Sequence, residues 1–311
     1  MNCSLANSVE CTNTALSARL MKAMDVSVVI PAYNEELGIG ATVSKIQELY
    51  PDFEVIVVDD GSTDRTAEVA EQAGAKVIRH PYNIGNGAAV KTGIRKASGE
   101  LVVVMDGDGQ HDPADIARLL SKSGKYDLVV GARSSESQAS LGRRLANWLY
   151  NRLASYVGKF PIKDLTSGFR VFRRKTVLNY LYLFPNTFSY PTTSTLAYLR
   201  SGLTIHYVPV VAHKRVGKSK IRIIQDGSRF LLIIIRIATL FSPLRIFLPL
   251  SLFFLLVGSL YYGYTFYTSH RFTNMSALLM STGIMIFLMG LISEQITQMR
   301  FDRVEGSIPD E

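Results

Sequence analysis

Four short apolar runs that each stop at charged side chains restrict this chain more than any single motif does. Val26–Ile30 (VSVVI) ends at Pro31 and is followed by Tyr33 and Glu35; Glu54–Val58 (EVIVV) ends at Asp59 and Asp60. Val102–Val104 leads to Asp106 and Asp108, and Asp127–Val130 leads to Arg133. Runs this short and this rich in β-branched residues predict buried strands. Ala75–Arg79 predicts a further strand, while Leu37–Leu49, the stretch after Asp64 and Ala88–Lys96 read as helical. Strands alternating with helices predict an α/β fold with a mostly parallel sheet covered on both faces. Ligands bind such sheets outside the carboxyl ends of the strands. Tyr33, Glu35, Asp60, Asp106, Asp108 and Arg133 are therefore expected along one crevice. A single acid at a strand end fits a helix cap, and Asp64 is placed to be one. Four strands ending in acids or arginine are not explained by capping.

Asp106 and Asp108 carry the chemistry. Burying unpaired carboxylates is costly, so the pair calls for a cation, although a lone D-x-D also fits a solvated turn. Hard oxygen donors suit Mg2+ or Mn2+, and a Mg2+ site normally takes substrate phosphates into its octahedron. Gln110 adds a neutral oxygen, and Gly107 and Gly109 let a ligand approach the backbone. A nucleotide suits such a crevice: acids accept from base N–H groups or ribose hydroxyls, the metal holds the diphosphate, and Arg133 meets phosphate oxygens with its fork. The loop Asn83–Gly87 lacks the G-x-G-x-x-G spacing, and no G-x-x-x-x-G-K-[ST] occurs, which weakens the two common nucleotide-binding alternatives.

The carboxyl-terminal third reads differently. Residues 246–267 and 272–293 are two charge-free runs, each long enough for a hydrocarbon layer of about 30 Å, which takes about 20 residues. A hydrophobic content of 47% agrees. Tyr261, Tyr262, Tyr264 and Tyr267 gather at the end of the first run, as aromatics do at an interface. Residues 214–245 hold eight Lys or Arg, and Arg300 and Arg303 follow the second run. The positive-inside rule then predicts an integral membrane protein with the catalytic domain and both termini cytoplasmic. Arg222, Arg229 and Arg236 recur every seven residues, nearly one stripe on a helix. They predict an interfacial amphipathic helix over 219–241 against anionic lipid, with a solvated charged face as the alternative. Residues 143–156 predict another amphipathic helix, in which Leu145, Trp148, Leu149 and Leu153 share a face. That stripe fits core packing, or a membrane-surface helix flanking the crevice.

The remaining features are quieter. Cys3 and Cys11 lie in a polar tail, give no disulfide framework and no metal cluster, and the tail is expected to be disordered. The net charge of +8 fits anionic lipid or a phosphorylated substrate, and nucleic acid is not the expected partner. His80, His111, His206 and His213 lack ligand spacing, and His111 reads as a turn residue beside the metal. The expected domains are a tail over 1–24, a catalytic domain over 25–218, the interfacial helix over 219–241, a transmembrane hairpin over 242–297 and a cytoplasmic tail over 298–311.

Four segments in order, Val28–Glu35 (VVIPAYNE), Val55–Asp64 (VIVVDDGSTD), Asn83–Ala89 (NIGNGAA) and Asp106–His111 (DGDGQH), resemble the family 2 glycosyltransferases. Within that family the chain is most similar to the polyprenyl-phosphate hexose synthases, the group that includes dolichol-phosphate mannose synthase, over about residues 26–220. The resemblance implies a GT-A fold. It implies nucleotide-sugar contacts from Pro31, Tyr33, Glu35, Val58, Asp60, Asp106, Gly107 and Arg133, and a divalent Mg2+ or Mn2+ on Asp106, Asp108 and Gln110. Asp164–Arg170 (DLTSGFR) resembles the acceptor-side motif, which brings in Asp164, Ser167 and Arg170. Arg215–Lys220 (RVGKSK) resembles the basic segment near the phosphates, with either Lys214 or Arg215 as the matching base and Ser219 and Lys220 following.

The implied function is an inverting transfer of a hexose from a UDP- or GDP-sugar to a polyprenyl phosphate, undecaprenyl or dolichyl, on the cytoplasmic leaflet. Asp108, Arg133 and Asp164 are the expected catalytic residues. Asp164 either orients the acceptor or assists deprotonation; Arg170 either clamps phosphate or braces Asp164. A hydroxyl acceptor, lipid-linked or polysaccharide, is the alternative, and it would need a true base. A non-catalytic nucleotide-sugar sensor is the alternative of another class, and a broken metal motif would mark it. Self-association, the sugar and the base stay open.

Overall fold

Branched apolar residues with nowhere to go but a shared interior assemble the first unit. The computed structural model describes residues 24–133, 148–212 apart from 149, 153, 157 and 188, and 241–305, with the side chains of 300–305 aside. The chain divides into two compact units, residues 1–220 and 221–311. The tail over 1–23, the basic segment with Lys214, Arg215, Ser219 and Lys220, the arginine stripe and residues 306–311 lie outside the described residues, as do Leu145, Leu149 and Leu153.

The first unit is built on β1 (Val26–Ala32), α1 (Ile39–Leu49), β2 (Glu54–Asp59), α2 (Thr66–Gln72), β3 (Lys76–Arg79), α3 (Asn86–Lys96) and β4 (Leu101–Val104). It continues with α4 (Ile116–Ser123), β5 (Leu128–Arg133), β6 (Arg170–Arg173), α5 (Arg174–Leu178), α6 (Tyr190–Arg200) and β7 (Ile205–Val210). The seven strands form one sheet in the order β3-β2-β1-β4-β6-β5-β7. β1, β2, β3 and β4 pair in parallel, as do β5 and β7. β6 runs antiparallel to both β4 and β5. The sheet is thus mostly parallel, with one reversed strand at its middle. Val28, Val29, Ile30, Val57, Val103 and Val129 are fully buried, as strands covered on both faces require.

Two details depart from the sequence expectation. β1 does not stop at Pro31 but runs through it, with Pro31 in register with Val58. Pairing with β4 has already ended at Val29–Val104, so the missing N–H falls where no partner strand asks for it. On the helical stretch 148–158, Trp148, the one described residue of the expected stripe, faces outward, which goes against core packing for that residue. Trp148 is 59% exposed, while Tyr150 and Ala154 turn inward.

The second unit is a helical hairpin, α7 (Leu244–Ser269) and α8 (Asn274–Glu305). Both helices are long and apolar enough to cross a membrane, and most of their apolar side chains are exposed rather than packed into a core. The second begins at Asn274 rather than at Phe272, because Thr273 Oγ1 accepts the Ser276 amide at 3.3 Å and caps the helix. The helices approach closely at Gly283, whose carbonyl accepts the Ser251 hydroxyl at 2.8 Å. A Cβ at Gly283 would stand 2.8 Å from Leu255 Cγ, whereas one at Gly263 would meet nothing within 4 Å. Gly283→Leu is therefore expected to lower the thermal midpoint in detergent, at a cost of about 1–3 kcal/mol for overpacking, while Gly263→Leu leaves it unchanged. Equal midpoints for the two variants would contradict this packing.

Candidate active site at the carboxyl edge of the sheet

Because β6 is reversed, its amino end meets the carboxyl ends of β4 and β5. Arg170 pairs with Val104 on one side and Val130 on the other. The loop 164–169 is therefore inserted between the Asp106–Asp108 turn and Arg133. Asp164 is the centre of that loop. Its Oδ2 accepts from Arg133 Nε at 2.8 Å and Arg133 N at 3.1 Å, and its Oδ1 accepts from Arg133 Nη2 at 3.1 Å. The amides of Thr166 and Ser167 also donate to Oδ1, each at 3.1 Å. Burial alone would raise the Asp164 carboxyl, but the Arg133 guanidinium and the amides hold it below the usual carboxylate range. Burial likewise works to lower Arg133, and its bonds and attraction to Asp164 reverse that and lift it.

Arg170, the other basic residue of the motif, is fully buried. It donates to the carbonyls of Ser167 (2.7 Å) and Leu165 (3.2 Å) and to the hydroxyls of Thr195 (2.8 Å) and Ser194 (3.1 Å). In this geometry Arg170 braces the Asp164 loop; it does not present its guanidinium to a phosphate. Ser167 is likewise turned inward, its hydroxyl donating to Gly131 O at 2.6 Å. Tyr190 OH donates to Gly168 O at 3.2 Å and completes the support. The hydroxyl-rich run Thr192–Thr195 was the one sequence signal for this buried polar layer, since such residues are rarely clustered in a core helix without a polar partner.

The metal-type motif touches this loop directly. A Cβ at Gly168 would lie 2.5 Å from Asp106 Oδ2, so only glycine leaves the carboxylate its seat. Gly109 takes φ +72°, the left-handed turn that reverses the chain after Asp108. Asp108 is buried and accepts the Gln110 amide at 3.1 Å. His111 is buried against Phe169, ring centroids 5.1 Å apart, and burial pulls its imidazole down to about 4. Among the described residues no three His, Cys, Asp or Glu side chains converge as a complete metal cage. Two carboxylates with one amide oxygen still fit a Mg2+ or Mn2+ ion that draws its other ligands from water and phosphate.

On the other side of β1 the loops are laced together. Asn34 N donates to Ser62 Oγ and Glu35 N to Thr66 Oγ1, both at 2.9 Å, and Asn34 Oδ1 accepts the Thr63 amide at 2.8 Å. Asp60 is buried and holds the turn that follows β3. It accepts from Ile84 N (3.0 Å) and Gly85 N (2.8 Å) and meets His80 Nδ1 at 2.7 Å. Pro31, Val58 and Gly107 are buried, and Tyr33, Glu35 and Gln110 are half-buried. Asp64 is not the N-cap of α2, which is Arg65, but it stands one residue before it and its carboxylate accepts the Thr66 amide at 3.1 Å.

Hard-oxygen donors and an anchored guanidinium thus stand together at one edge of an α/β sheet, a set of groups suited to phosphate-bearing ligands. Comparison with known proteins makes this specific. Residues 27–181 match the glycosyl transferase family 2 model, and residues 242–299 match the GtrB C-terminal hairpin. An undecaprenyl-phosphate 4-deoxy-4-formamido-L-arabinose transferase of Pseudomonas aeruginosa is 30% identical over 302 residues, 89% of this chain and 86% of that one. An uncharacterised protein of Methanocaldococcus jannaschii is 35% identical over 158 residues, 48% of this chain and 64% of its own length. A crystal structure of glucosyl-3-phosphoglycerate synthase from Mycobacterium tuberculosis, in complex with Mn2+, UDP-glucose and phosphoglyceric acid, superposes with a TM-score of 0.58. It is 23% identical and covers 72% of this chain and 82% of that one, a likeness of fold. The chain belongs to glycosyl transferase family 2. It is a glycosyltransferase with a GT-A-like α/β domain and a GtrB-type carboxyl-terminal hairpin.

Asp164 has a depressed folded-state pKa, so it is ionised throughout the neutral range. Its contribution to stability is present above its unfolded value of about 3.9 and is lost as the pH falls through the lower folded value. Asp164→Asn keeps an acceptor for the loop amides but turns a donor toward Arg133. Unfolding should become easier by about 3 kcal/mol, the scale of a broken buried pair. Turnover should fall by up to about 100-fold, the scale of a displaced positioning group. Between about pH 6 and 8 the rate profiles of the two proteins should run parallel; loss of an inflection in the variant would identify Asp164 as a titrating base.

Proposed function

We propose that this enzyme transfers a hexose from a UDP- or GDP-sugar to the phosphate of a membrane-embedded polyprenyl phosphate, with inversion, at the cytoplasmic face. The observation that carries this reading is the state of Asp164. The carboxylate, open from the sequence to a positioning role or a role as base, has its pKa lowered and its oxygens filled with donors. A phosphate monoester needs no base, because its second pKa is about 6 and it is already dianionic near neutral pH. A hydroxyl acceptor would need one, so the geometry favours the anionic acceptor. The hairpin and the similarity to an undecaprenyl-phosphate transferase support the same choice.

In this reading Pro31, Tyr33, Glu35 and Val58 border the nucleoside, and Asp60 acts through the turn it holds. Asp106, Asp108 and Gln110 would hold the divalent cation, with Gly107 giving the donor room. A cation there supplies charge to offset the departing diphosphate. Arg133, aimed by Asp164, stabilises phosphate oxygens, while Ser167 and Arg170 keep the loop in place. Lys214 or Arg215, with Ser219 and Lys220, would meet the lipid phosphate, and the stripe Arg222, Arg229 and Arg236 would rest on anionic headgroups. Both hairpin helices cross the bilayer and return the chain to the cytoplasm.

Membranes carrying the protein, supplied with radiolabelled UDP- and GDP-hexoses and with undecaprenyl or dolichyl phosphate, should form a polyprenyl-phosphate sugar only when Mg2+ or Mn2+ is present. Asp108→Ala should abolish the product while leaving the fold intact. Product formed in excess chelator would refute the metal assignment, and transfer to a lipid hydroxyl but not to the phosphate would refute the acceptor.

The topology has its own test. In a chain freed of Cys3 and Cys11, a cysteine at Asn274 should react with an impermeant maleimide applied to sealed cells, and one at Gly306 should not. The reverse pattern would place the catalytic unit outside.

A further inference from the structure

Asp60 is a carboxylate almost closed off from water, 2% exposed, and three groups donate to it. Two are the amides of Ile84 and Gly85, in the turn that leads from β3 into α3. The third is His80, whose Nδ1 lies 2.7 Å from Asp60 Oδ1. Among the described residues His80 is the one basic side chain within ion-pair reach of Asp60. Burying a carboxylate is costly unless its oxygens are paired, so the imidazole is part of what keeps Asp60 in place.

The imidazole is itself held from its far side. Nε2 lies 3.0 Å from Thr92 Oγ1 on α3, and the His80 amide donates to Asp59 O at 2.8 Å. A carboxylate oxygen accepts, so Nδ1 carries the hydrogen, and a ring bonded at both nitrogens cannot flip without losing both bonds. One ring thus links the end of β2, the end of β3 and the middle of α3. The backbone is equally tight here. A Cβ at Gly61 would stand 2.5 Å from Tyr82 C, so the turn after Asp60 lies backbone against backbone on the turn after β3. Gly85 takes φ +122°, which L side chains rarely adopt, and the bond from its amide to Asp60 holds it there. On the other side, Asp60 N donates to Ala32 O at 2.9 Å, next to Tyr33. The carboxylate therefore stands between the loop after β1 and the turn that opens α3.

We propose that His80 is a positioning residue for the donor nucleotide: it fixes the plane of Asp60 and, through Asp60, the turn 83–85. A carboxylate has about four acceptor sites. Oδ1 takes two donors, His80 Nδ1 and Ile84 N, and Oδ2 takes Gly85 N. The two amides belong to the turn and move with it. His80 is the donor that comes from outside the turn and is pinned to α3, so it keeps carboxylate and turn from shifting together. With a side chain only 9% exposed, His80 acts through Asp60 rather than by touching the ligand. This deepens the nucleotide-sugar reading and rests on it for the identity of the donor.

Binding of UDP and of GDP to the full chain in detergent, with Mn2+ and without acceptor, is measured by titration calorimetry beside thermal midpoints. His80→Ala should weaken the nucleotide that the unmodified protein binds by about 10-fold, the scale of a lost hydrogen bond to a charged group. It should raise KM for the nucleotide sugar and leave kcat nearly unchanged. His80→Asn should restore binding to within a few-fold, because its amide nitrogen stands where Nδ1 stands and can donate to Asp60. His80→Gln reaches toward Thr92 instead and should stay weak. Thr92→Val should weaken binding less than His80→Ala does, and adding it to His80→Ala should cost nothing further. Unchanged affinity in His80→Ala would overturn the proposal. Equal losses in the alanine, asparagine and glutamine variants that follow their thermal midpoints would overturn it too, since a mere staple for the fold behaves in that way. Hydrogen exchange over residues 82–88 in nucleotide-free protein reads the hold on the turn by itself. Faster exchange in His80→Ala than in His80→Asn is expected, and identical exchange in the two would overturn the hold. That measurement needs neither donor nor acceptor, so a wrong substrate assignment is told apart from failure of the role given to His80.

Discussion

The ion pair between Arg133 and Asp164 is the contact on which the candidate active site depends. It ties the end of β5 to the loop that enters β6, using both carboxylate oxygens, the guanidinium fork and a backbone amide. Bidentate pairing of this kind fixes orientation as well as charge. Arg133 is held at the sheet edge by the fold itself, so in the proposed reaction little reorganisation would remain when charge develops on a diphosphate. Asp164 serves this purpose as a carboxylate whose oxygens are filled by N–H donors and whose proton affinity is lowered by them, and that is why it makes a poor base.

Around the pair the protein has arranged an uneven balance of charge. Asp106, Asp108 and Asp164 face two guanidinium groups, Arg133 and the fully buried Arg170. Arg170 has hydroxyl and carbonyl partners rather than a carboxylate. Burial lowers its pKa, yet a guanidinium stays charged in proteins. The three carboxylates outnumber these two guanidinium groups, a local excess that suits a divalent cation in the proposed reaction. The cost of burying Arg170 is offset by the rigidity it lends to a loop whose next neighbour, Gly168, lies against Asp106. The Asp106–Asp108 turn and the Asp164 loop are thus joined through a few ångströms of backbone, and a shift in one must be felt in the other.

The hairpin is built on a different pattern. In the first unit, Val and Ile residues are hidden on both faces of the sheet. In the second, most Leu, Phe and Met side chains are exposed on helices long and apolar enough to cross a membrane, the arrangement the proposed bilayer setting calls for. Small residues at the helix contact, Ser251 and Gly283 among them, let two backbones approach where no hydrophobic force drives them together.

The sequence by itself determined the strand runs, the acids at their ends, the Asp106–Asp108 motif and both apolar helices, because each rests on local periodicity or on a few adjacent residues. It did not disclose β6, four residues long and reversed, or β7, an edge strand that carries Pro209. Nor did it decide between the roles open to Asp164 and Arg170. Asp164 meets Arg133 across 31 positions of chain, and Arg170 meets Ser194 and Thr195 across 24 and 25. Those partners are neighbours only because β6 enters the sheet between β4 and β5. The orientation of Trp148 was equally a tertiary decision: the apolar stripe fitted core packing or a surface face, and the contacts of Tyr150 and Asn151 with the rest of the unit leave Trp148 outside. Periodicity is written in the order of the residues, whereas partnership between distant side chains is set by how the sheet is threaded.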